Sequence, residues 1–96
     1  LVKSVCSPET LLEEAYAIAK KIVGFSPVSI ALTRQMMYRC SAKDHPIDAH
    51  QVDSLSIFYQ SLSSGKEGVS SFLEKRTPKY TDKASSDMPD FYPWWN

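Results

Sequence analysis

The chain has 96 residues, of which 43% are hydrophobic, and its 11 basic side chains balance 11 acidic ones. This length allows one small domain that buries roughly 60–65% of its unfolded surface, and it excludes a two-domain enzyme. Because the net charge is zero, no overall field would attract the chain to nucleic acid or to an anionic membrane. We therefore expect neither a nucleic-acid partner nor a membrane partner.

The N-terminus and the cysteines indicate a cellular setting. The segment LVKSVCSPET has no charged leader followed by an apolar run, and no stretch approaches the ~20 apolar residues of a membrane span. Cys6 and Cys40 lie far apart in the sequence, which favours two reduced, partly buried thiols over a disulfide. We expect a cytoplasmic protein, and the absence of a starting Met suggests a piece of a longer one.

Caps and hydrophobic periodicity predict an all-α fold followed by an extended aromatic tail. The first helix has Ser7 as its expected N-cap, Pro8 at the first helical position and Gly24 as a left-handed stop. Ser26 and Pro27 repeat the same start signal. The predicted helices cover roughly residues 8–23, 27–40, 46–62 and 65–76.

The fourth helix carries the most distinctive stretch, GKEGVSSFLEKRTPKY, at residues 65–80. Ser64 and Glu67 have the spacing of a capping box, and Thr77-Pro78 would end the helix. The period of the apolar residues suggests that Phe72 turns inward, while Lys75 lies on an exposed flank. Phe72 would then be an ordinary core residue and Lys75 an ordinary solvated one.

The last part of the chain has no helical period, and we assign residues 1–80 to a helical domain and 81–96 to a tail. Four aromatic residues crowd its end, which are Phe91, Tyr92, Trp94 and Trp95. A disordered tail rarely concentrates such large apolar groups. We expect it to dock on protein, either on its own helices or on a neighbouring subunit.

Few residues could carry chemistry. His45 and His50, with Asp44, Asp48 and Asp53, form the sole cluster of candidate metal ligands in the sequence, but histidines five residues apart do not share a helix face. No serine lies in a nucleophile elbow, and the glycines have no phosphate-binding spacing. We expect no catalytic residue, no metal site and no cofactor in this chain.

Two segments nevertheless suggest a family. SPETLLEEAYAIAKKIVGFSPVSIALTRQMM, residues 7–37, resembles the segment that follows the catalytic core of the crotonase superfamily, the enoyl-CoA hydratases and isomerases. GKEGVSSFLEKRTPKY resembles the C-terminal signature of that family, which commonly reads EG…AF.EKR.P.F. The match covers roughly residues 1–80 in the expected order, with Arg34 in place of the usual Lys and Tyr80 in place of the usual Phe.

The resemblance implies the helical C-terminal part of an acyl-CoA enzyme involved in fatty acid metabolism, a lyase or an isomerase. In that family the catalytic groups belong to a preceding core, which this chain lacks, so it would be inactive by itself. Phe72 and Lys75 match positions near the CoA end of the substrate pocket, often in a neighbouring subunit's site. The expected partners are acyl-CoA, the chain's own core and the other subunits of a homotrimer or a dimer of trimers.

Two other interpretations stay open at this point. The chain could be a stand-alone helical interaction module with no acyl-CoA chemistry, which the presence or absence of a crotonase core upstream would decide. It could also be a small DNA-binding domain, although the second helix offers only Arg34, Gln35 and Arg39 as residues that could contact bases or phosphates. Exposed apolar stripes on the first two helices would make the isolated fragment self-associate.

Overall fold

A computed structural model describes residues 1–92, and over this range the chain forms four α-helices and no β-strand. They are α1 (Leu11–Val23), α2 (Pro27–Cys40), α3 (Pro46–Leu62) and α4 (Gly65–Leu73). The predicted all-α fold is confirmed, and so are the bounds of the second and third helices. α3 packs against both α2 and α4, so it is the central element.

α1 begins later than predicted, and its ends differ from the expected caps. Residues 8–10 form a turn in which the Thr10 amide donates to the Ser7 carbonyl at 3.1 Å, and Thr10 is the residue that precedes the helix. The prediction of Ser7 as the N-cap and of a helix from residue 8 is therefore wrong. Gly24 has φ −75° and ψ −7°, so the predicted left-handed stop is also wrong.

None of the residues of α1 is buried. Leu12 is 70% exposed and Val23 is 81% exposed, although both belong to the apolar side of an amphipathic helix. No one helix of the described chain is long and apolar enough to cross a bilayer. Only α1 and α2 taken together reach that length and apolarity, and a bend of 107° separates them.

α2 begins as the sequence predicts. The Ser26 hydroxyl accepts a hydrogen bond from the Ser29 amide at 3.2 Å, and Pro27 occupies the first helical position. Val28 and Leu32 are each 1% exposed, and Val52 of α3, the helix on which α2 packs, is 9% exposed. These three side chains are the buried hydrophobic core of the described residues, apart from Pro89.

A tight connection joins α3 to α4 at Gly65. A Cβ atom at this position would lie 2.4 Å from the carbonyl oxygen of Gln60 and 2.9 Å from its carbonyl carbon. Both are backbone atoms, so a side chain could be accommodated only if the helices moved apart. The close approach of α4 to the end of α3 therefore requires a glycine.

Ser64 and Glu67 do not form the predicted capping box. The Ser64 hydroxyl donates to Gln60 Oε1 at 2.6 Å, and no side chain caps the start of α4. Glu67 instead binds residues beyond the end of the helix, because a guanidinium lies within its reach and offers a stronger, charge-assisted interaction. The capping-box prediction is wrong, since sequence spacing could not show this competing partner.

α4 ends at Leu73 rather than at residue 76. The Lys75 amide donates to the Phe72 carbonyl at 3.2 Å, and the Arg76 amide donates to the Ser71 carbonyl at 3.0 Å. This is the hydrogen-bond pattern of a Schellman motif, which reverses the chain after a helix. Its left-handed position is held by Lys75, with φ 53°, where glycine is the usual residue.

A cluster of Glu67, Arg76 and Lys79, called the clasp below, holds this turn against α4. The guanidinium of Arg76 donates to both carboxylate oxygens of Glu67, at 2.5 and 2.9 Å, and the Lys79 amide donates to Glu67 Oε1 at 2.7 Å. These bonds, first that from Arg76 and then that from the Lys79 amide, lower the pKa of Glu67 to about 2. The carboxylate is therefore ionised at any pH near neutrality.

Next to the clasp, Tyr80 lies over α4. A Cβ at Gly68 would come within 3.2 Å of the Tyr80 hydroxyl oxygen, so the ring approaches the helix where no side chain stands in the way. Gly68 and Tyr80, which both belong to the signature segment, therefore lie close together.

The tail folds back over the helices from residue 82 onward. One oxygen of Asp82, Oδ2, accepts from the Ser26 hydroxyl at 2.6 Å and from the Val28 amide at 3.2 Å, at the start of α2. Pro89 is among the fully buried residues, and the Phe91 ring meets the Tyr59 ring edge-on at 6.3 Å. The tail therefore docks on its own helices as far as it is described, whereas Trp94 and Trp95 lie outside the described residues.

Gly65→Ala should destabilise the fold by about 1–3 kcal/mol, because the new methyl group would overlap the backbone of Gln60. Gly24→Ala is the matched control. Its φ is already right-handed and the nearest atom to the new Cβ is 3.6 Å away, so it should stabilise by about 0.4–1 kcal/mol. Urea denaturation at one fixed protein concentration measures both, and equal effects would contradict the close approach at Gly65.

The clasp predicts a specific pH dependence. The folded pKa of Glu67 is about 2 and its ordinary value is 4.5, so its contribution to stability is complete above pH 4.5 and is lost as the pH falls toward 2. Glu67→Gln should lower the urea midpoint at pH 7, and the difference from wild type should shrink as the pH falls from 4.5 through about 2. A difference that stays constant across this range would contradict the charged pairing.

Candidate functional site

Phe72 does not point into the domain, contrary to the sequence prediction. Its side chain is 81% exposed, and the neighbouring Val69 and Leu73 are 62% and 73% exposed. The buried residue of α4 is Ser71, which is 3% exposed and donates its hydroxyl hydrogen to the Gly68 carbonyl. α4 therefore rests on its small residues and presents its apolar side outward, so the core interpretation of Phe72 is wrong.

Lys75 lies in the same turn as Phe72, because its amide binds the Phe72 carbonyl. It is exposed, as predicted, and its ammonium makes no hydrogen bond or ion pair with any residue among 1–92. The structure thus brings the two predicted site residues together at the end of α4. One offers an apolar ring and the other a free positive charge, both directed away from the domain's packed interior.

The acids beside Lys75 are already paired with Arg76. Glu67 binds Arg76 as described, and Glu74 Oε2 accepts from Arg76 Nε at 2.6 Å. These hydrogen bonds, with Glu67 the largest cause, raise the pKa of Arg76 further above its usual value. Arg76 is therefore a permanently charged structural residue rather than a second free cation at this site.

The sequence placed Arg76 and Lys79 only within a family signature and assigned Glu67 to a capping box, so it did not predict the clasp. The usable signal was the opposite charge of Glu67 and Arg76, nine positions apart, on either side of a predicted helix end. Helical spacing alone would not pair them, because the chain must first reverse at Lys75. The turn, not the helix period, brings them together.

The histidine and aspartate cluster serves the start of α3. The Ile47 amide donates to His45 Nδ1 at 3.1 Å, which makes His45 the N-cap, and His50 Nδ1 lies 3.0 Å from Asp53 Oδ2. Within residues 1–92, no three His, Cys, Asp or Glu side chains converge on a point that could hold a metal ion. Cys6 and Cys40 are free and partly buried, as predicted.

Two concave surfaces lie beside α4. An apolar groove of about 710 Å³ runs between α2, α3 and α4, with Leu32, Met36, Ile57 and Val69 among its lining residues. A polar cleft of about 730 Å³ lies between α4 and the tail, and it includes the clasp. The sequence could not predict either, because each depends on how separate elements are placed relative to one another.

Comparison with known proteins gives matches among enoyl-CoA hydratases. The chain is 40% identical over 83 residues to an enoyl-CoA hydratase of Alternaria alternata. This match covers 83% of the chain and 27% of that protein. It is 31% identical over 81 residues to the mitochondrial enoyl-CoA hydratase domain-containing protein 3 of Rattus norvegicus (84% of the chain, 27% of that protein). It is 29% identical over 85 residues to the mitochondrial enoyl-CoA hydratase of Pongo abelii (86% and 29%).

No family model matches the sequence, and no solved structure matches the fold at a significant level. The chain spans a little over a quarter of the length of the curated relatives it matches. The chain is therefore similar to these proteins in two motif segments, in their order along the chain, and in sequence over most of its length. These matches bear out the resemblance of the chain to the C-terminal region of the crotonase (enoyl-CoA hydratase/isomerase) superfamily.

Proposed function

We propose that this chain is the assembly and pocket-closing part of an acyl-CoA enzyme that hydrates or isomerises an enoyl-CoA thioester. The names of the matched relatives, all enoyl-CoA hydratases or proteins with such a domain, support the substrate class. The chain contributes no catalytic group of its own, so the acid–base groups and the oxyanion site belong to the rest of the enzyme. By itself the chain is inactive.

The observation that carries this proposal is the outward orientation of Phe72 and Lys75. In an isolated domain, a phenylalanine side chain that is 81% exposed beside an unpaired ammonium adds nothing to folding stability. At the CoA end of a pocket both groups have a use. The ammonium would bind a phosphate of CoA by a charge-assisted hydrogen bond, and the ring would cover the adenine or the pantetheine arm.

The uncovered helix faces support the assembly role. α1 has no buried residue, and the apolar side of α4 is exposed along Val69, Phe72 and Leu73. Such faces are suited to a second protein surface. We assign them to the enzyme's own core and to neighbouring subunits of a homotrimer or a dimer of trimers. The stand-alone interaction module is the competing function, and it provides no role for Lys75.

The compartment is part of the proposal. We place the enzyme in the cytoplasm, as the sequence predicts, while the names of several relatives carry the word mitochondrial. Fractionation of cells that produce the full-length protein decides between these locations.

The fragment should self-associate, because α1 and α4 leave their apolar sides uncovered. Sedimentation velocity over a range of concentrations should show a rising average mass. Leu12→Gln removes a 70% exposed apolar side chain from α1 and should weaken the association, whereas Lys20→Gln on the same helix should not. A fragment that stays monomeric at high concentration would contradict the assembly role.

Lys75→Gly separates a binding role from a structural one. Glycine suits the left-handed backbone at this position, so we expect the variant to be more stable by about 1 kcal/mol. The loss of the ammonium should nevertheless weaken binding of coenzyme A to the full-length enzyme about three- to tenfold. Lys75→Ala should weaken binding equally without the gain in stability.

Lys75→Arg is the matched control, because it keeps the charge and should retain most of the affinity. Calorimetric titration gives the affinities, and urea denaturation of the fragment gives the stabilities. If coenzyme A binds Lys75→Gly as tightly as wild type, Lys75 has no part in the site.

A further inference from the structure

Lys75 occupies a backbone conformation that a lysine does not favour. It is the one non-glycine residue with positive φ among residues 1–92. The left-handed region costs a residue with a Cβ on the order of 1 kcal/mol, so it is populated only where surrounding contacts enforce it. Contacts made by the residues around Lys75 must therefore hold its backbone in the left-handed region.

Besides the Schellman hydrogen bonds, two residues on the far side of the turn bind Glu67. Arg76, the next residue, donates to both of its oxygens, and the Lys79 amide donates to Oε1. Glu67 lies in the first turn of α4, so these bonds tie the chain beyond Lys75 back to the helix before it. The backbone at Lys75 has to reverse to satisfy them.

The clasp also leaves the Lys75 charge available. Glu67 in α4 and Glu74 next to Lys75 are both engaged by Arg76. A carboxylate that accepts hydrogen bonds from a bidentate guanidinium has little to gain from a second cation. Lys75 therefore makes no ion pair within the described chain, and its ammonium is free for an anion from elsewhere.

We infer that Glu67, acting through Arg76, is a positioning residue that fixes the turn at Lys75 and thereby directs the unpaired Lys75 ammonium toward an anionic ligand group. This inference rests on the proposed function, which supplies the anion as a phosphate of coenzyme A. Glu67 touches no ligand itself. Its role is to hold the turn, while Arg76 binds both Glu67 and Glu74 and so keeps these carboxylates from pairing with Lys75.

The test uses the full-length enzyme and two binding probes, coenzyme A and pantetheine, which lacks the phosphates. Glu67→Gln keeps the size of the side chain but ends the charged pairing. We expect it to weaken binding of coenzyme A about three- to tenfold and to leave pantetheine binding unchanged. Hydrogen exchange of the Lys79 amide should become faster, because its acceptor is weakened.

Glu74→Gln is the matched control. It removes the other carboxylate that Arg76 binds, but Glu74 does not reach Lys79. We expect it to leave both affinities and the Lys79 exchange rate unchanged. The ratio of the two affinities is the deciding readout, because general damage to the fold would weaken both probes together.

The outcomes distinguish this inference from the proposed function. If Glu67→Gln weakens both probes equally, or neither, while Lys75→Ala weakens coenzyme A alone, the positioning role is wrong and the CoA site stands. If Lys75→Ala also leaves coenzyme A binding unchanged, the proposed site itself is wrong. Selective loss of coenzyme A affinity in Glu67→Gln and Lys75→Ala, but not in Glu74→Gln, supports the inference.

Discussion

A part-buried hydrogen-bond network around Ser26 joins the helices of this small fold to one another and to the tail. The Ser26 hydroxyl donates to Asp82 in the tail and lies 2.9 Å from the Ser64 hydroxyl at the start of α4. Ser64 and Ser29 both donate to the side-chain carbonyl of Gln60 on α3. Helices α2, α3 and α4 and the tail thus meet at one cluster of polar groups. Because the hydrophobic core is only a few side chains, this cluster specifies how the helices are joined.

The network also explains why the apolar side chains of α4 point outward. Ser64, Gly65 and Ser71 face the rest of the domain, and Gly65 allows a backbone approach that no larger residue permits. Polar contacts and small residues therefore set the rotation of α4 about its axis. If hydrophobic burial within the domain set this rotation, the opposite face of α4 would be buried, with Phe72 inside.

This difference marks what the sequence could and could not predict. The four helices, the start of α2 at Ser26 and the start of α3 at Pro46 follow from local signals, and the structure confirms them. Periodicity tells which residues share a face, but it does not tell which face meets the domain and which is left for another surface. A similar cause explains the wrong cap predictions at Ser7, Gly24 and Glu67. In each case the structure has a contact or a backbone geometry that the spacing of residues in the sequence does not encode.

At the end of α4, the residues of the signature segment predict more about the surface than the helical spacing of its apolar residues does. Glycine at position 75 would relieve the left-handed backbone, and the fold could keep its reversal with the Schellman hydrogen bonds alone. Lysine adds a backbone cost on the order of 1 kcal/mol at this position. The clasp of Glu67, Arg76 and Lys79 offsets that cost and saturates the neighbouring acids at the same time. The combination leaves the Lys75 ammonium exposed and unpaired at the end of α4, which is the arrangement that the proposed coenzyme A site uses.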